Sequence, residues 1–141
     1  MNMRIIVAAL IGSVVSFFLG WVVFGMLLDP YYQSNMVKYN GLVRGMDDMR
    51  LHGIYLAQLC WCGLIAYVFG VLGNVKSFMK GAIAGGIIFG LAFAGVDLMM
   101  WSGMNLFGFK MVVIDALANG IFGGLISGVI ALILGWGGNK S

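Results

Sequence analysis

The stretch "GVDLMMWSGMNLFGFKMVVID", residues 95–115, holds two aspartates in surroundings that are otherwise almost wholly apolar. Carboxyl groups placed in this way can exchange protons, share one proton between them, or bind a cation. Asp97 stands about one turn before the end of one apolar run, residues 81–101, and Asp115 about one turn after the start of the next, residues 111–136. At a rise of 1.5 Å per helical residue, both are expected roughly 6 Å inside the same membrane face. Consecutive helices joined by a short connection usually pack as neighbours, so the two carboxyls are expected to approach each other at one depth. If both point inward, repulsion and desolvation favour a single shared proton.

An ionised Asp at the centre of a spanning helix costs about 2.5–3.5 kcal/mol, and less near the interface. Depth alone therefore does not separate function from packing. Asp115 has a structural reading, because the dipole and free N–H groups of a helix N-terminus stabilise an anion. Asp97 lies near a C-terminus, where an anion is disfavoured, and is the more informative residue. Its functional reading is a proton-coupled or cation-binding pocket, since intramembrane acids commonly mark ion paths and relays. Its structural reading is a hydrogen bond across helices to Asn119 or to a backbone group, fixing packing.

Other polar residues fall in the same half of the membrane. Asn119 is one turn deeper than Asp115, Gln58 enters with the second apolar run, and His52 stands at that run's start. Trp101, four residues beyond Asp97, would cover the carboxylate or anchor at the headgroups. Asp97, Asp115, Asn119, Gln58, Trp101 and His52 are the candidates for one ligand or proton site. Gln58 and Asn119 also read as interhelical hydrogen-bonding groups, and His52 as a solvated loop residue. No Cys/His pair, metal-ligand cluster or activated serine accompanies the acids. No catalytic, cofactor-binding or metal residue is assigned, and enzymatic function ranks last.

The elements that must position these residues are four apolar runs, 5–28, 53–73, 81–101 and 111–136. Each can cross a hydrocarbon core of about 30 Å, which needs ~20 helical residues. Of the 141 residues, 62% are apolar and 9% charged, and the mean hydropathy is +1.02; soluble domains carry about 25% charged residues. Barrel strands would alternate apolar with polar, and these runs do not. The expectation is a single all-α membrane domain, a bundle of four transmembrane helices. The first run exceeds the apolar core of a secretion signal and ends at "LDP", so it is expected to stay attached.

The net charge of +3 is a topology signal in so apolar a chain, and not a nucleic-acid footprint. Four crossings place both termini on one side with Arg4, Lys76, Lys80 and Lys140, opposite Lys38, Arg44, Arg50 and Lys110. The count ties, but "NVKSFMK" is the densest basic segment beside helix ends. The termini are therefore expected in the cytoplasm of a cell (inner) membrane, with loop 29–52 on the other side. In that loop Pro30 ends or turns the first helix, Tyr31 and Tyr32 suit the headgroup level, and a short surface helix fits the remainder. Cys60 and Cys62 read as buried free thiols, since "CWC" has neither redox nor zinc spacing.

Several of the 23 glycines recur at four-residue spacing. Gly86, Gly90 and Ala94 form one stripe, Ala116, Gly120, Gly124 and Gly128 a second, and Gly12, Ser16 and Gly20 a third. Such stripes let helices approach closely in lipid. With three stripes in four helices, self-association as a dimer is expected alongside internal packing. Gly20 with Gly90, and Gly25 with Gly95, also align as a trace of a duplicated hairpin.

The order "KGAIAGGIIFGLAFAGVDLMMW…GFKMVVIDALANGIFGGLISGVI" resembles an uncharacterised family of small four-helix prokaryotic integral membrane proteins, mainly over residues 80–134. "SFFLGWVVFG" is similar to a second such family, although this chain has Trp21 and no acid before Asp29. The resemblance implies a four-helix fold and directs attention to Asp97 and Asp115. It supplies no activity; the residues themselves lead to two functions as expectations. One is binding or transport of a small solute or cation, coupled to Asp protonation; it needs a dimer, because four thin helices leave little room for a path. The other is a structural or assembly subunit of a larger membrane complex. The bilayer is the partner common to both.

Overall fold

The computed structural model describes residues 2–136; Lys140, used above for topology, lies outside them. Helix α1, Met3–Gly20, continues in π-helical turns over Trp21–Leu27, closed by Leu28 N–H donating to Val23 O at 2.9 Å. The chain turns at Leu28 and enters α2, Asp29–Asn35. Helix α3, Leu51–Tyr67, likewise widens into π-helical turns over Val68–Leu72. Helices α4, Phe78–Gly103, and α5, Phe109–Gly135, complete the fold. Four helical stretches, Met3–Leu27, Leu51–Leu72, Phe78–Gly103 and Phe109–Gly135, are long and apolar enough to cross a membrane. They match the four expected runs to within three residues at each end.

Pro30 starts α2 rather than merely ending α1. Its missing N–H falls in the first turn, where no intrahelical partner exists, and Asp29 beside it suits the positive end of the helix dipole. Beyond α2 the chain makes a tight turn at Tyr39–Leu42, with Leu42 N–H donating to Tyr39 O at 3.1 Å and Gly41 at φ +80°. That dihedral demands glycine at the third position of the turn. The connection between α3 and α4 is equally tight and seats Lys76 O against Gly135.

Helix α5 is the centre of the bundle, packing on α4, α1 and α3, while α1 also pairs with α3. Its buried residues, among them Asn119, Phe122, Ile126, Ser127 and Ile130, face several directions. The small-residue stripes account for its closest approach. A Cβ on Gly124 would stand 2.9 Å from Ala82 O, and one on Gly81 would stand 2.7 Å from Ser127 O. Gly86 and Gly90 face Gly120. The α1 stripe is also spent inside the chain: Gly12 lies under Ile130, Ser16 donates to Gln58 Oε1, and Gly20 touches Phe122. Of the two thiols only Cys62 is buried, and Cys60 is exposed. The expectation of two buried thiols is corrected here, because residues two apart on a helix point to nearly opposite faces.

Because backbone is what a new methyl would meet, Gly124→Ala and Gly81→Ala should each cost about 1–3 kcal/mol. Gly95→Ala, which meets nothing within 4 Å, should leave thermal unfolding in detergent unchanged or slightly raised. Equal melting temperatures for all three variants would refute the close-packed α4–α5 interface.

Candidate functional site

Asp97 lies six residues before the end of α4 and Asp115 six residues after the start of α5. The mirrored placement expected from the sequence is therefore kept, at ~9 Å from each helix end. The α4–α5 packing brings the two acids together at one cavity. Both residues are half-buried, and both line a cavity of about 420 Å³ at this end of the bundle.

The two acids are served unequally. Asp115 Oδ1 accepts from the Tyr32 hydroxyl, and Asp115 Oδ2 accepts from Asn119 Nδ2 at 2.7 Å. The same Asn119 amide also donates to Asp115 O at 3.0 Å. Asp97 Oδ2 is buried and has no hydrogen-bond partner among the described residues. An ionised carboxylate only accepts, so an ionised pair sets acceptor against acceptor. One proton or one cation between them resolves the conflict.

Tyr32 is the residue that sequence reasoning missed, having placed it at the headgroups. Four spans put loop 29–52 on the same side as the α4–α5 connection, so a tyrosine just after Pro30 was within reach of the acids. That shared side was the available signal. Burial pushes the Tyr32 phenol well above its usual value, helped by the hydrogen bond to Asp115 and by the charges of Asp115 and Asp97. Tyr32 is thus a donor at any physiological pH.

The remaining candidates separate. Asn119 joins the site, but through Asp115 on its own helix, so the expected bond from Asp97 to Asn119 is not made. Gln58 instead accepts from Ser16 between α3 and α1, near Ser13, whose Oγ lies 3.3 Å from Tyr55 Oη. Trp101 packs edge-on against Phe109 at 5.4 Å between centroids, bracing the α4–α5 connection and not lining the cavity. His52 is exposed at the start of α3 and is absent from the cavity wall. Of the six expected residues, Asp97, Asp115 and Asn119 come together, joined by Tyr32, while Gln58, Trp101 and His52 lie elsewhere.

The wall around the acids comes from two sources. Asp97 and Met100 of α4 and Met111 and Asp115 of α5 form the inner side; α2, residues 36–39, Val43 and Phe107 form the outer side. Backbone pairing joins the outer side to the α4–α5 connection, with Val37 N–H donating to Leu106 O at 2.8 Å beside the bridge between Met36 and Phe107.

Fold and site together define a membrane-embedded helical protein with four apolar spans and an acidic cavity at one end of the bundle. No family model matches the chain, and neither the curated proteins nor the solved structures searched contain a match.

Asp97→Asn should keep or raise the melting temperature, because an amide N–H at this position supplies the donor that the pair lacks. Asp115→Asn, which weakens the acceptor for both Tyr32 and Asn119, should cost roughly 1–3 kcal/mol. The reverse order would refute the assignment of Asp97 as the unserved acid. The phenol gives a second check. Its neutral form is favoured in the fold, so the associated stability is present below the ordinary value of about 10 and lost as pH rises through the higher folded value. Wild type and Tyr32→Phe should accordingly show equal tyrosinate absorbance through the ordinary range, and diverge only in stronger alkali.

Proposed function

We propose that this protein, as a homodimer, binds a small monovalent cation, best an alkylated ammonium, at the Asp97–Asp115 pair in exchange for a proton, and that this exchange drives movement of the cation across the membrane. The observation that carries the reading is the buried Asp97 Oδ2 without a donor, beside an Asp115 whose oxygens are both served. A site of that form has one position for a positive charge, filled alternately by a proton or a cation.

The rest of the wall favours an organic cation. Its volume of about 420 Å³ falls in the range of small-molecule sites, about 300–1,000 Å³. The rings of Tyr32, Tyr39 and Phe107 and the thioethers of Met36, Met100 and Met111 line it. Ring faces attract a cation without removing it from apolar contact, and methionine adapts to alkyl groups. Asp29, Asp97 and Asp115 outnumber Lys38 on the wall. No group of three His, Cys, Asp or Glu side chains suited to a metal ion occurs among the described residues, so the donor set suits a single positive charge better than a multivalent ion.

The membrane we assign is the cell (inner) membrane, with the termini and the basic Lys76–Lys80 segment in the cytoplasm and the cavity opening outside. The dense positive charge beside the ends of α3 and α4 supports this orientation.

Isothermal titration of the detergent-purified protein with tetramethylammonium, run in two buffers of different ionisation enthalpy, tests the reading. Wild type should bind and release about one proton per cation, and bind more weakly as pH falls. Asp97→Asn should lose at least about tenfold in affinity while staying folded. Equal binding by the variant, or no heat from any alkylammonium tried, would overturn the proposal.

A further inference from the structure

The outer wall of the acidic cavity belongs to no span. It is formed by α2 and the residues that follow it to Val43, and this segment is lightly attached. α2 packs mainly against the π-helical turns Trp21–Leu27 that lead into it. Two hydrogen bonds tie the segment to the α4–α5 hairpin: the Tyr32 hydroxyl to Asp115 and Val37 N–H to Leu106 O. Tyr39 and Val43 are 57% and 67% exposed, and the turn between them pivots on Gly41. The inner wall, by contrast, is carried by α4 and α5, which pack closely on each other along glycines further from this end.

We infer that residues 29–43 are a lid on the acidic cavity, pinned shut by Tyr32 on Asp115 and released when a proton or a cation neutralises the acid pair. A proton or cation held between Asp97 and Asp115 draws charge from the Asp115 carboxylate as well, and a hydroxyl bonds an ionised carboxylate roughly twice as strongly as a neutral one, so neutralising the pair weakens the pin. Every charged or titratable group around the pin bears on this. On the lid, Lys38 is attracted to the ionised pair and adds to closure, whereas Asp29 is repelled by it. Tyr31 packs edge-on against Tyr32 at 6.2 Å and carries a buried, unpartnered hydroxyl, and Tyr39 lines the wall. From α4 and α5 come Asp97 and Asp115 themselves, with Asn119 holding Asp115 from its deeper side. Release by a cation rests on the proposed function, and release by a proton does not.

Hydrogen–deuterium exchange on the full chain in detergent tests the lid, with the protection of the Val37 amide corrected for intrinsic rate. Between about pH 8 and about pH 5 that protection should fall by about tenfold in wild type, while amides around Ile126 in α5 stay protected. In Tyr32→Phe it should be low throughout. Constant Val37 protection in wild type over the whole range would overturn the lid, and this series needs no variant to fold. Tetramethylammonium at the alkaline end separates the two proposals. Calorimetric binding with a matching loss of Val37 protection supports both. Binding with protection unchanged overturns the cation-driven lid and leaves the binding reading standing. Acid release without any cation binding keeps the lid as a proton-operated device and removes the binding reading.

Discussion

A carboxylate taken out of water must be given donors, and in this protein that requirement organises one whole end of the bundle. Asp115 receives one donor from a deeper turn of its own helix, Asn119, and another from a different element, Tyr32. The second donor draws α2 over the end of the bundle. The segment after it then pairs with the α4–α5 connection, and a half-open cavity lies between them. Asp97 lines the same cavity and is left with a buried oxygen that no donor among the described residues serves. The unequal treatment of two otherwise similar acids gives the site its chemistry.

Such a site needs walls that do not give way. In lipid there is little hydrophobic drive between helices, and stability comes from close contact and hydrogen bonds. The glycine contacts between α4 and α5 supply the close contact, and α5 extends the packing to α1 and α3. The polar pairs of Ser13 with Tyr55 and Ser16 with Gln58 tie α1 to α3. Polar groups are thus divided between two places. One group locks helices together, and the other surrounds a cavity.

The four-residue spacing of Gly86 and Gly90, and of Gly120 and Gly124, made the α4–α5 contact legible, because only small residues permit that approach. The mirrored positions of Asp97 and Asp115 made their common depth legible, because helical rise converts sequence distance to depth. Gln58 was not legible in the same way. It shares the polar character of Asn119, but its direction around α3 was set by Ser16 on a neighbouring helix. Trp101 shares a helix with Asp97, yet its ring turns to Phe109.

The sequence by itself determined the spans, their order, the depth of the acids and the faces of closest helix contact. These follow from apolar length, rise per residue and side-chain size, all local quantities. The tertiary structure decided which polar groups meet. The small-residue stripes turn α4 and α5 towards each other, but apolar residues lie on nearly every other face and set neither the rotation of α3 nor the path of α2, and Tyr32 reaches Asp115 across 83 positions of sequence. Only the packed bundle, by setting the rotation of each helix and the return of α2, could bring a donor to one acid and leave the other without.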